Sequence, residues 1–482
     1  MTMQRREFLK TVGAGVFLAA MGSTVDAQQP GRDRPNIVLC MADDQGWGDM
    51  GYYGHPALKT PNFDAMAADA LRFDRFYAAA PVCSPTRGSV LTGRHPNRFG
   101  CFSWGRTLRP QEITVAEALK TAGYATGHFG KWHVGPVYAG SPVNPGASGF
   151  DEWLSAPNFY DNDPILSREG TAVRMRGESS MVAVDAAIAF IRKHTKTRQP
   201  FLAVVWFGSP HGPHRAAKAD RTPYATLDRA RQHFYGEITG MDRAFGKLRT
   251  ELRTLGIREN TILWYCSDNG GLPKVGVTGG RSNKGAIWEG GLRVPAILEW
   301  PARIKKPRTT DVPCNTSDFY PTLLEITGVR MKHQPPLDGV SLVELIDGKM
   351  TARPTPMMFW KYPGGGIGTP SSKLMADLLK AQQAGKRVPD GARLCLDAGK
   401  IGRKYPEDVF PGHAACLDWP WKLHRRAGRR GAPTVQLYNL AEDPKETQNV
   451  VAAHAKRVDA MKSALEKWQT SVLRSLNGAD YR

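Results

Sequence analysis

The chain has 482 residues, 41% hydrophobic and 23% charged, which provides for a large buried core and is too long for one minimal domain. Its formal charge of +20 points to a polyanionic partner, whether nucleic acid, anionic membrane or sulfated polymer. Nucleic acid is disfavoured, because the Lys and Arg residues form no stripe and accompany no reading motif.

In chain order, Arg5-Arg6 stands before Phe8-Leu9-Lys10, an apolar stretch over 11–21 and a small-x-small end at Val25-Asp26-Ala27. This pattern predicts a twin-arginine signal over residues 1–27, and with it the twin-arginine export machinery as a partner and a periplasmic or extracellular destination. The apolar stretch is too short to span a bilayer stably, and no other segment reaches that length, so no stable membrane span is expected. The seven cysteines are widely spaced and form no CxxC pair, which argues against a disulfide framework or a zinc site. Cys40 and Cys266 lie in apolar runs and read as small core residues, and an oxidising compartment would allow Cys395 and Cys416 to pair.

Apolar runs at 36–41, 201–207, 261–266 and 294–300 predict buried parallel strands. Helical patterns lie between them at 114–122, 181–193 and 227–255, the last carrying Ile238, Met241, Phe245, Leu248 and Leu252 at helical spacing. The alternation predicts an α/β domain over 28–350, with a central, mostly parallel sheet flanked by helices on both faces. Residues 351–482 change texture, with the Gly-rich run 363–366, strand-like runs at 419–425 and 434–440 and an amphipathic helix over 455–476. They predict a smaller C-terminal subdomain with an antiparallel sheet and a terminal helix.

Chemistry in doubly wound folds gathers at the carboxyl ends of strands. Asp43-Asp44 follows the first strand, His211 the second and Asp268-Asn269 the third. Either acidic pair alone reads as a cap or a turn. Brought together, adjacent carboxylates repel unless a cation lies between them, and the two pairs would make an oxygen-rich cup for Ca2+ or Mg2+.

The run Cys83-Ser84-Pro85-Thr86-Arg87 followed by Leu91-Thr92-Gly93-Arg94 closely resembles the signature of the formylglycine-dependent sulfatases. The likeness continues in order through Asp43-Asp44-Gln45-Gly46, Gly130-Lys131-Trp132-His133, Ser209-Pro210-His211, Asp268-Asn269-Gly270, Lys284-Gly285 and Trp288–Pro295. It is strong over 35–340 and looser beyond, and is of the arylsulfatase and N-acetylgalactosamine-6-sulfatase type. It implies the alkaline-phosphatase-like fold, and oxidation of Cys83 to formylglycine (3-oxoalanine) by a formylglycine-generating enzyme. It also implies a Ca2+, with Mg2+ as the alternative, held by Asp43, Asp44, Asp268, Asn269 and residue 83.

The implied reaction removes sulfate from a sulfated carbohydrate or a small aryl sulfate. A hydroxyl of the hydrated aldehyde attacks, held by the cation and Arg87, with Asp268 taking its proton. Lys131 and Lys284 supply positive charge around the sulfate oxygens, and His211, helped by Lys284, protonates the leaving oxygen. His133 removes a proton from the second hydroxyl, so that the aldehyde re-forms. The alternatives are a phosphonate or phosphate-ester hydrolase of the same superfamily and a non-catalytic sulfoglycan-binding protein. The latter would be expected to lose Cys83, a metal carboxylate or His211, and all are present. The segment 362–410 departs from the usual plan, either as a loop bordering the substrate pocket, which puts substrate identity in doubt, or as a solvated surface elaboration.

Overall fold

A computed structural model of the protein describes residues 34–428 and 432–481; the signal expected over 1–27 lies outside the described residues. The main sheet contains β1 (Asn36–Ala42), β2 (Leu71–Tyr77), β3 (Ala125–Lys131), β4 (Glu152–Ala156), β5 (Ile165–Arg168), β6 (Thr171–Arg174), β7 (Phe201–Trp206), β8 (Thr261–Ser267), β9 (Arg293–Glu299), β10 (Arg308–Thr310) and β11 (Cys314–Asn315). Its order is β10-β2-β9-β8-β1-β7-β3-β4-β5-β6, with β11 also pairing with β2. At its centre β8, β1, β7, β3 and β4 run parallel. The carboxyl ends of four strands that carry polar residues therefore open at one place.

Period-two alternation explains the two cores. Along β1, Ile37, Leu39 and Met41 face one layer, which is covered in part by the helices Cys83–Thr92, Val115–Lys120 and Phe319–Thr327. Val38, Cys40 and Ala42 face the other, beneath the helices Ser179–Thr197 and Arg229–Thr254. In the latter helix Ile238, Met241, Phe245, Leu248 and Leu252 are all buried on that side. Cys40 and Cys266 sit in the core as apolar residues, and all seven cysteines are free.

One expected strand runs the other way. The 294–300 run, read as parallel, is β9, which is antiparallel to both of its neighbours, β2 and β8. A strand buried on both faces shows the same apolar run in either direction, because hydrophobicity reports burial and not chain polarity.

The C-terminal sheet is antiparallel, in the order β12 (Met357–Lys361), β13 (His413–Asp418), β14 (Trp421–Arg426) and β15 (Thr434–Asn439). The helix Ala455–Leu476 covers one face through Met461, Leu465, Val472 and Leu473. The other face packs against Tyr77 of β2 and against Ile287, Trp288 and Leu292. Within this joint lies a buried polar cluster. Lys422 Nζ sits 2.8 Å from Glu289 Oε1 and 3.2 Å from Glu446 Oε1, His424 Nε2 lies 2.7 Å from the same Glu446 oxygen, and Glu446 Oε2 accepts from the Glu289 backbone N–H. No helix among the described residues is long and apolar enough to cross a membrane.

Candidate active site

Each strand end contributes differently. β1 ends into Asp43 and Asp44, β8 into Asp268 and Asn269, β3 into Lys131 and, two residues on, His133, and β7 leads through Ser209-Pro210 to His211. Cys83 is the first residue of the helix Cys83–Thr92. Its side chain therefore lies at the positive end of the helix dipole, with Arg87 four residues on and on the same face. Asp44 and His133 hold positive φ, 72° and 57°, a backbone state disfavoured for residues with a Cβ and concentrated at functional sites.

The ten residues expected at the site converge. Asp43, Cys83 and Asp268 place ligand atoms within 4.8 Å of one another, as do Asp43, Asp44 and His211. The Arg87 guanidinium donates to Asp268 Oδ2 at 2.7 and 3.1 Å and to the Lys131 carbonyl, and lies 3.7 Å from Asp43 Oδ1. Lys131 Nζ donates to Asp43 Oδ2 at 2.6 Å, and Lys284 Nζ to Asp44 Oδ2 at 2.7 Å. Asn269 Nδ2 donates to Asp44 Oδ1, and the Asp44 N–H to Asp268 Oδ1. His211 Nε2 stands 3.6 Å from Asp44 Oδ2. His133 Nε2 meets Thr369 Oγ1 at 3.1 Å.

Two oxygens in this buried cluster, Asp43 Oδ1 and Asn269 Oδ1, have no hydrogen-bond donor. Buried polar atoms are nearly always partnered. Orphaned oxygens between carboxylates are what a hard cation such as Ca2+ requires of its ligands, so the donor set fits a divalent ion.

Burial dominates the titration of the site. It pushes the Asp43 carboxyl up to about 8, with Asp268 and Asp44 adding to the shift and Lys131 and Arg87 opposing it. Burial works against charge on Asp44 as well, but Lys284, His211 and Lys131 hold it below the usual carboxylate range. It also raises the Cys83 thiol, which disfavours the thiolate that a cysteine nucleophile needs. His133 is held well below its ordinary value by burial and then by Lys131 and Arg87, and His211 is pushed down to about 3 by burial against the pull of Asp44. Burial disfavours the Lys284 ammonium, yet Asp44, Cys83 and Asp43 together more than compensate and keep it protonated.

Cys83, His133, His211 and Lys284 line one cleft of about 670 Å³ together with Trp104, Asn158, Phe159 and residues 368–370. Phe159 stacks on the His211 ring at 4.1 Å. Thr369 and its neighbours belong to the 362–410 segment, which thus reaches the cleft. Trp104, Asn158, Phe159 and Thr369 escape sequence reasoning because they sit on loops without periodicity; the exposed aromatic at Trp104 is the only local signal. His214 instead pairs with Glu237, and His128 is buried against Ser155.

Comparison with known proteins agrees with this geometry. The family model described as Sulfatase matches residues 35–329. The chain is 33% identical over 385 residues to N-acetylgalactosamine-6-sulfatase of Canis lupus familiaris, covering 70% of each chain. It is 32% identical over 470 residues to arylsulfatase A of Homo sapiens, covering 90% of this chain and 87% of that one. The fold is shared with Ps i-CgsB, solved in complex with k-i-k-neocarrahexaose, at a TM-score of 0.75 and 23% identity, covering 91% of this chain and 93% of the other. A family match across most of the main sheet, reaching every strand end that feeds the cleft, makes this chain a member of the sulfatase family and an enzyme that hydrolyses sulfate esters.

Proposed function

We propose that the protein removes sulfate from a sulfated carbohydrate, using a formylglycine made from Cys83 and a Ca2+ held by Asp43, Asp44, Asp268 and Asn269. The observation that carries this reading is the pair of donorless oxygens, Asp43 Oδ1 and Asn269 Oδ1, beside the helix-terminal Cys83. The similarity to N-acetylgalactosamine-6-sulfatases supports a sugar substrate.

When bound, the cation supplies positive charge next to the sulfate oxygens and acidifies an oxygen ligand. The formylglycine supplies hydrated-aldehyde hydroxyls in place of a thiol that burial keeps protonated. This chain's own residues do the rest. Arg87, anchored on Asp268 and the Lys131 carbonyl, orients the side chain at 83. Asp268, whose carboxylate lies within 4.8 Å of the residue 83 side chain, would take a proton from it. Lys131 and Lys284 face the non-bridging oxygens and stabilise charge in a water-poor site. His211, held by Phe159, donates to the leaving oxygen once the anionic ester offsets the desolvation that keeps the free imidazole neutral. His133, fixed through Nε2 on Thr369, leaves Nδ1 without a partner and able to take a proton from the residue at 83.

Residues 1–27 serve as the twin-arginine export signal on this reading, and a formylglycine-generating enzyme acts before export. Mass spectrometry of the Cys83 peptide, from protein coexpressed with such an enzyme, tests the core of the proposal. The expected result is a loss of about 18 Da and aldehyde reactivity. An unmodified cysteine in protein that turns over sulfate esters would overturn it. Turnover of phosphonate monoesters well above that of sulfate esters would move the assignment to the related phosphonate chemistry.

A further inference from the structure

The cleft has walls of two kinds. Its floor carries the charged groups, whereas its mouth carries Trp104, 48% exposed. That indole is held in place although it faces solvent. Gly366 lies so close beneath it that a Cβ there would stand 2.0 Å from Trp104 Cε2. The Ile367 N–H donates to the Trp104 carbonyl at 2.8 Å, and the Gly105 N–H donates to Ser84 Oγ at 2.8 Å, next to Cys83. Gly105 has φ +72°, and a Cβ there would meet the Ile367 carbonyl oxygen at 1.9 Å. The platform is thus built by the Gly-rich run of the 362–410 segment.

From it a chain of aromatic and cationic contacts leads through Phe102, Tyr362 and Tyr405, which are part-buried against the C-terminal sheet and its helix, to two arginines. Arg106 donates Nε to the Gly365 carbonyl at 3.0 Å, with its guanidinium 5.8 Å from the Phe102 ring centroid. Phe102 stacks on Tyr362 at 4.6 Å, and Tyr405 lies 6.1 Å from Phe102 and 5.9 Å from Tyr362. The Arg403 guanidinium covers Tyr405 at 4.8 Å. Many surface arginines of this protein are paired, as Arg192 is with Glu251, Arg303 with Asp347 and Arg474 with Glu407. Arg106 and Arg403 form no salt bridge among the described residues, and each is backed by an aromatic ring. A rigid indole fits the C–H face of a pyranose, and guanidinium groups without carboxylates fit sulfate or carboxylate substituents.

We infer that Trp104, Arg106 and Arg403 form a second subsite, which binds an anionic sugar unit adjoining the one that loses its sulfate. The substrate is then an oligo- or polysaccharide bearing several anionic groups. This rests on the sulfatase reading of the cleft and names the substrate class for it.

The test measures kcat/KM on a panel of sulfated galactan and glycosaminoglycan hexasaccharides and on the sulfated monosaccharide of each, with 4-nitrophenyl sulfate as a common reference. The wild-type protein should favour its best hexasaccharide over the matching monosaccharide by about tenfold or more. That ratio should fall about tenfold through KM in Trp104→Ala and in the double variant Arg106→Ala/Arg403→Ala, with melting temperatures unmoved. Trp104→Phe, which keeps a ring, should retain the ratio within about threefold. Added salt should erode the wild-type ratio more than that of the arginine double variant. A wild-type ratio near one, or a ratio unchanged in the variants, overturns the subsite while turnover of 4-nitrophenyl sulfate leaves the sulfatase reading standing. Loss of turnover on every probe overturns both.

Discussion

Two buried charge clusters of this protein look alike in composition and differ in one respect. In the joint between the two sheets, all four carboxylate oxygens of Glu289 and Glu446 are occupied, by Tyr77, Lys422, His424 and the Glu289 N–H. In the cleft, three carboxylates face Arg87, Lys131 and Lys284, yet Asp43 Oδ1 and Asn269 Oδ1 accept nothing. A satisfied cluster is finished as folded and serves to join elements. An unsatisfied one in an equally dry setting, with its open oxygens set between carboxylates, suits the cation of the proposed function. Counting charges would not separate the two; counting unfilled lone pairs does.

The comparison can be broken by substitutions on either side. The largest effect is expected at Cys83, where Cys83→Ala should lower sulfate release on the order of 10⁴-fold or more while leaving the melting temperature unchanged. Substantial residual activity there would sink the mechanism.

Next comes the joint. Glu446→Ala strands Lys422 without one of its two carboxylates and removes the acceptor of the Glu289 N–H. It should destabilise the protein by about 3–5 kcal/mol in a denaturant titration, without changing cation affinity in the folded state. A loss of cation affinity with no loss of stability would reverse the roles of the two clusters.

Third, Ca2+ at a hundred times its Kd should stabilise the wild-type protein by about 2.7 kcal/mol, read as a rise in melting temperature that a chelator removes. Asp268→Asn should lose most of that rise, and equal metal content in the variant by elemental analysis would strike Asp268 from the ligand set.

The smallest effect concerns pH. Burial, with His424 and Arg426, pushes His413 down to about 2. Its Nε2 lies 2.9 Å from His424 Nδ1, and His424 Nε2 in turn meets Glu446, a chain that suits two neutral rings. The imidazole therefore stays neutral when folded and takes a proton when unfolded below about pH 6.5. Stability linked to it is intact above that pH and is lost as the pH falls. His413→Gln should gain on the wild type by at most about 1.4 kcal/mol per pH unit below 6.5. A stability difference that stays flat from pH 7 to 5 would mean the joint does not exclude protons.

The local outline of the structure was readable wherever pattern and chemistry lie close together in the chain. The helix at 455–476 came out at the bounds it has, and the 227–255 pattern is the helix Arg229–Thr254. In both, apolar residues recur at helical spacing over many turns. β12 and β13 carry no strand pattern in the sequence, since neither holds a β-branched residue and β13 is built around Ala414 and Ala415. The direction of β9 was beyond reach for the reason given above.

The sequence by itself determined which residues could do the chemistry. Cys83 with Arg87, and the acidic pairs at 43–44 and 268–269, are neighbours along the chain, and their side-chain types limit what they can bind or move. Tertiary structure alone decided that they meet, that two of their oxygens stay unfilled, and that Trp104, Phe159 and Thr369 form the walls around them. Loops carry no periodic pattern, and their contacts follow from the packing of distant elements, so the part of the cleft that faces the substrate is decided only in three dimensions.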